Sequence, residues 1–94
     1  MKIYYGLTEE ETKLKSLKYE KTKEFEYKGV NTSLTGLKKF IKDSKMENII
    51  KYYTIVDSNV FIINKNILFD KKYDMIAVNI PFEFEIDNIK NLFN

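Results

Sequence analysis

The chain has 94 residues, a net charge of +2 and no cysteine, so it is one domain (residues 1–94) that holds a modest core without disulfides or thiolate chemistry. It also lacks histidine, arginine, tryptophan and glutamine, and all sixteen of its basic residues are lysine. Ordinary zinc and soft-metal ligand sets, the usual proton shuttle near neutral pH and the planar guanidinium fork are therefore unavailable.

Taken in order, Ile3 to Leu7 (IYYGL) reads as a short strand. Thr8-Glu-Glu-Glu11 matches a capping box, a Thr hydroxyl for the Glu11 amide and a Glu11 carboxylate reaching back. It predicts a short helix, weakly anchored because only Leu14 and Leu17 offer an apolar stripe. From Ser16 the pattern turns to period two, with a strand over Lys23 to Lys28 as the second arm of a hairpin. Gly29 breaks it, and Asn31, Thr32 and Ser33 offer caps for a helix over Leu34 to Ser44. Leu34, Leu37, Phe40 and Ile41 form the buried stripe of that helix. Gly36 inside it costs about 1 kcal/mol against alanine.

A helical turn near Met46 leads into a strand from about Ile50 to Asp57, rich in Ile, Tyr, Thr and Val. Two short apolar runs follow, Val60 to Ile63 and Ile67 to Phe69, separated by polar turns. After Asp70-Lys-Lys-Tyr-Asp74 comes the most regular stretch, Met75 to Ile86. Ile76, Val78, Ile80, Phe82, Phe84 and Ile86 fill its even positions, so a strand would put six apolar groups on one face. Pro81 cannot donate to a ladder and predicts an edge, bulge or break. The closing DNIKNLFN reads as a helical turn capped by Asp87, with Ile89, Leu92 and Phe93 packed inward. The fold class is α+β: an antiparallel β-meander of about four to six strands, with one or two short helices packed on it.

The candidate sites follow from these elements. Adjacent strand residues point to opposite faces, so one residue of each doublet Tyr4-Tyr5 and Tyr52-Tyr53 leaves the main core face. Tyrosine combines contact area with a hydrogen-bonding tip, and the four are the candidate protein-binding residues. Many strand residues are apolar on both parities, which predicts that part of the sheet's second face meets a partner, either a second copy or another protein. Lys38, Lys42 and Lys45 form a stripe on the helix and are the alternative, a surface for single-stranded nucleic acid with tyrosine. Glu83 and Glu85 share a strand face, as do Glu24 and Glu26, and read as a solvated face among lysines.

No nucleophile motif and no glycine-rich phosphate loop is present. An enzyme, a metal and a cofactor are therefore not expected. The expected function is that of a small non-enzymatic protein acting by protein–protein contact. The Lys/Ile/Asn-rich composition suits an AT-rich genome, and it suits an anti-CRISPR-like product of a phage or mobile element that blocks host machinery such as a defence nuclease. MKIYYGLTEEE has no signal-peptide core and no apolar run nears the roughly 20 residues of a membrane span, so the expected location is cytoplasmic.

Overall fold

The computed structural model describes residues 2–19, 30–57, 68–76 and 82–94. Its elements are β1 (Lys2–Thr8), a 3-10 turn (Glu11–Lys13), β2 (Ser16–Tyr19), α1 (Leu34–Asp43), β3 (Ile50–Asp57), β4 (Leu68–Asp70), β5 (Met75–Ile76), β6 (Phe82–Glu85) and β7 (Lys90–Asn91). The domain is α+β, and every ladder among the described residues is antiparallel. The sequential, meander-like step among the described residues is β4 to β5. The other ladders join strands far apart in the chain, in the orders β1-β3-β7 and β2-β6. Asn31 bridges β1 to β5, through Tyr4 on one side and Met75 on the other.

The β1-β3-β7 sheet is a middle layer, because β1 and β3 carry apolar side chains on both parities. Ile3, Tyr5 and Leu7 of β1 join Val56 of β3 in a cluster with Tyr19, Phe82 and Phe84 of the β2-β6 ribbon. The Phe84 ring lies 5.0 Å from that of Tyr5, and Phe82 stacks on Tyr19 at 5.0 Å. On the opposite face, Ile50 and Tyr53 of β3 pack with Leu37 and Ile41 of α1 and with Leu92. A register shift between Leu7 and Thr8 skips Lys51, and this turns Ile50 to the helix side. Gly6, opposite Tyr53, permits this approach, since a Cβ there would sit 2.8 Å from Ile50 Cγ2.

The helix begins where its cap predicts. Ser33 Oγ accepts from the Gly36 amide at 3.0 Å and donates to Asp74 Oδ2 at 2.6 Å. It ends in a Schellman arrangement: Lys45 takes φ 57°, its amide donates to Lys42 O at 3.0 Å, and the Met46 amide donates to Ile41 O at 2.9 Å. The Met46 side chain packs on the same cluster as Ile41.

Several expectations change. The Thr8–Glu11 capping box forms, with Thr8 N to Glu11 Oε1 at 2.9 Å and Glu11 N to Thr8 Oγ1 at 3.2 Å. It closes a single 3-10 turn instead of a helix, because the segment has nothing to bury: Leu14 is 49% exposed. The closing segment is not a helical turn. Lys90–Asn91 pairs with Tyr52 and Tyr53 as β7, and Ile89 stays 38% exposed while Leu92 is fully buried. Asp87 is not a cap; its carbonyl accepts from Thr54 Oγ1 at 2.7 Å.

The regular stretch from Met75 supplies both β5 and β6. Phe82 and Phe84 are buried and Glu83 and Glu85 exposed, as period two requires. Met75 is buried as well, so that end of the stretch is covered on both sides. The expected strand at Lys23–Lys28, the run Val60 to Ile63, and Pro81 with residues 77–80 lie outside the described residues.

Candidate functional site

The tyrosine doublets divide as strand parity requires, but each side finds cover within the chain. Tyr5 joins the ribbon-side cluster and Tyr53 the helix-side cluster, both 8% exposed. Tyr4 is half-buried on the helix side, its ring 6.2 Å from that of Tyr53. Tyr52 is half-buried on the ribbon side. The two faces of the middle sheet are covered by α1 and by the β2-β6 ribbon, where the amino-acid pattern had left room for a partner on the second face. Tyr5 and Tyr53 are thus built into the core, and Tyr52 has the more promising surroundings of the other two.

Tyr52 lines a shallow groove with Glu47, Lys51, Asn91, Phe93 and Asn94. Three local features shape it. The turn after α1 brings Glu47 round, with the Ile49 and Ile50 amides both donating to Met46 O at 2.9 Å. The β3-β7 ladder sets Asn91 opposite Tyr52. The Leu92 amide donates to Lys51 O at 2.8 Å, and this leads the chain back under the helix. Phe93 packs partly against the helix-side cluster, and the Lys42 ammonium stands 5.5 Å from its ring centroid. Such a cation–π contact contributes about 0.5–1 kcal/mol at an exposed site. Ile49, in the same turn, is 58% exposed.

Of the lysine stripe, Lys42 and Lys45 are exposed and Lys38 is half-buried. The three do not form a free row: Lys42 is turned toward Phe93, and Lys45 lies beyond the helix in a left-handed turn. Lys39, not among the sequence candidates, is exposed on the same helix and adds to the positive field at Asp43.

Asp43 belongs to a second surface constellation. It accepts from the Tyr73 hydroxyl at 2.8 Å and pairs with the Lys72 ammonium at 3.6 Å. These contacts, the tyrosine hydrogen bond first, hold its carboxyl below the ordinary value of 3.8. The Tyr73 hydroxyl and then the Asp43 charge hold the Lys72 ammonium above its ordinary value. Tyr73 also sets its ring edge on Phe40 at 5.5 Å, and its carbonyl accepts from Asn31 Nδ2 at 2.9 Å. The β4-β5 turn is therefore fastened along α1, from Ser33 and Asp74 at one end to Asp43 at the other. These partners are thirty or more positions apart in sequence, and no local pattern announces them.

A further groove runs along the ribbon, lined by Lys15, Ser16, Glu83, Phe84, Glu85 and Ile86. Ser16 Oγ donates to Glu83 Oε1 at 3.3 Å, with both side chains exposed. An activated nucleophile needs a water-poor site, and this contact is open to solvent. Glu24 and Glu26 lie outside the described residues. Among the described residues no group of three acidic, histidine or cysteine side chains is placed to hold a metal ion, and no helix is long and apolar enough to cross a membrane. Comparison with protein-family models, with curated proteins and with solved structures finds no match.

Proposed function

We propose that this protein is a non-enzymatic binding protein that acts by protein–protein contact, through the end of the domain where the α1 C-terminus, the turn at 46–49 and β7 meet. The observation that supports this reading is the pair of half-buried aromatic side chains, Tyr52 and Phe93, lining one groove with Glu47 of the turn, a turn that also exposes Ile49. Aromatic anchors beside a polar rim make up the usual energetic centre of a protein interface. An inhibitor of host machinery carried by a phage or mobile element is the most specific form of the proposal, and composition is its only support.

The test is affinity capture from source cells with nuclease-treated controls, comparing the unaltered chain with Tyr52→Ala and Phe93→Ala. One protein partner should be retained through moderate salt and lost with either substitution. Tight binding to a random oligonucleotide in physiological salt, steeply weakened by added salt, would replace this reading with the nucleic-acid alternative on Lys38, Lys42 and Lys45.

A further inference from the structure

The side of α1 turned to solvent carries Lys39 and Lys42, with Lys38 on its flank and Lys45 just beyond the cap. The one carboxylate in the stretch from Lys38 to Lys45, Asp43, is already engaged by Tyr73 and Lys72. The helix face therefore carries a net positive charge, with Asp43 paired to partners of its own and the exposed Glu47 beyond the cap, in the groove with Phe93. Across the domain, the outward positions of β6 are the exposed Glu83 and Glu85. These acids share the ribbon with the exposed Lys15 and Lys18, whereas lysines outnumber acids on the outer side of α1.

We propose that the partner of the α1 face is an acidic protein segment, with carboxylates meeting Lys39 and Lys42 and an apolar side chain seated against the edge of Phe93. The inference rests on reading this end of the domain as a protein contact. Charge complementarity selects an acidic partner, and Phe93 selects protein over nucleic acid. Its ring packs partly against the helix-side cluster and has Lys42 over it, which leaves less of the ring for a base to stack on. Stacking is the sequence-tolerant term in single-strand binding. The chain also has no arginine to grip phosphate in bidentate fashion. The cation–π contact biases the Lys42 ammonium toward one position before binding, which lowers the ordering cost of a charge pair.

Two labelled probes of equal charge test this by fluorescence anisotropy in physiological salt: a peptide with Glu and Asp flanking one Phe, and oligo(dT). The peptide should bind more tightly. Lys39→Gln with Lys42→Gln should weaken it about tenfold, the loss expected of two exposed charge pairs. Lys13→Gln with Lys15→Gln, two exposed lysines next to the ribbon, should leave it unchanged. These surface changes keep the helix, which circular dichroism verifies. Tighter binding of oligo(dT), binding of neither probe, or equal loss in the Lys13/Lys15 variant would overturn the inference. If capture of a cellular protein is lost with Phe93→Ala but kept with Lys39→Gln and Lys42→Gln, the contact stands and its acidic partner does not.

Discussion

Replacing Gly36 by alanine sets helix propensity directly against tertiary packing. On propensity alone the change stabilises a helix interior by about 1 kcal/mol. In the fold, a Cβ at Gly36 would lie 2.1 Å from the Tyr73 carbonyl oxygen and 2.7 Å from its carbon, both backbone atoms. Reaching even 3.0 Å, the shortest separation real Cβ atoms show, moves the β4-β5 turn by 0.9 Å. The turn is not free to yield. The Tyr73 carbonyl is held by Asn31, its hydroxyl by Asp43, and the Asp74 carbonyl by the Thr32 amide at 2.8 Å. Breaking two such hydrogen bonds costs about 1 kcal/mol each, and overpacking adds about 2 kcal/mol. After the propensity gain, the net loss is about 3 kcal/mol. For a domain of this size that lowers the melting temperature by roughly 10–20 °C. Thermal and urea unfolding of Gly36→Ala measure it, with Thr35→Ala as the control: Thr35 is exposed at the preceding position of the helix and should gain a few tenths of a kcal/mol. A Gly36→Ala protein as stable as the parent would refute the close packing of the turn on the helix.

The core strand and its surface face should differ sharply. Phe84→Asp buries an unpaired charge against Tyr5 and unfolds the domain, while Glu85→Lys stays within about 0.5 kcal/mol; equal tolerance in thermal melts would contradict the β6 register. Lys45→Gly relieves a left-handed residue at the end of α1 and should raise stability by about 1 kcal/mol in urea unfolding; a decrease would contradict the Schellman ending. Asp43 binds its proton less tightly folded than unfolded. Its contribution is therefore complete above the unfolded value of 3.8 and fades as the pH falls through the lower folded value. Carboxyl NMR titration should place its midpoint below 3.8, and Tyr73→Phe should move that midpoint up; an unchanged midpoint in Tyr73→Phe would contradict the hydroxyl contact.

The local periods in the chain were enough to read β1, α1 and β3, whose apolar stripes are long and whose caps use Ser33 and the turn at Met46. They were enough also for the alternation of Phe82 to Glu85. They could not show what lies across the fold. Ser16–Tyr19 pairs with Phe82–Glu85, and nothing local to either segment names the other. The capping box at Thr8 forms and still yields only a 3-10 turn, because a satisfied cap cannot replace a buried stripe. In Lys90–Asn91 the strand is two residues long, too short for a period. The glycine at 36 read as a local cost, and its reason is the backbone of Tyr73, distant in sequence. At the candidate site, Tyr52 and Lys42 were legible from parity and charge. The ring that joins them, Phe93, read only as a core residue, because the tail's path under the helix follows from long-range hydrogen bonds.

The central claim is that the domain works by contact at the end formed by α1, the turn at 46–49 and β7. The most direct measurement places a photo-crosslinking phenylalanine analogue at Phe93 and, separately, at the exposed Leu14 near the ribbon, then irradiates source cells. Crosslinking to one protein from position 93 and not from position 14 is the predicted result. Crosslinks to nucleic acid from position 93, or the same products from both positions, would contradict it.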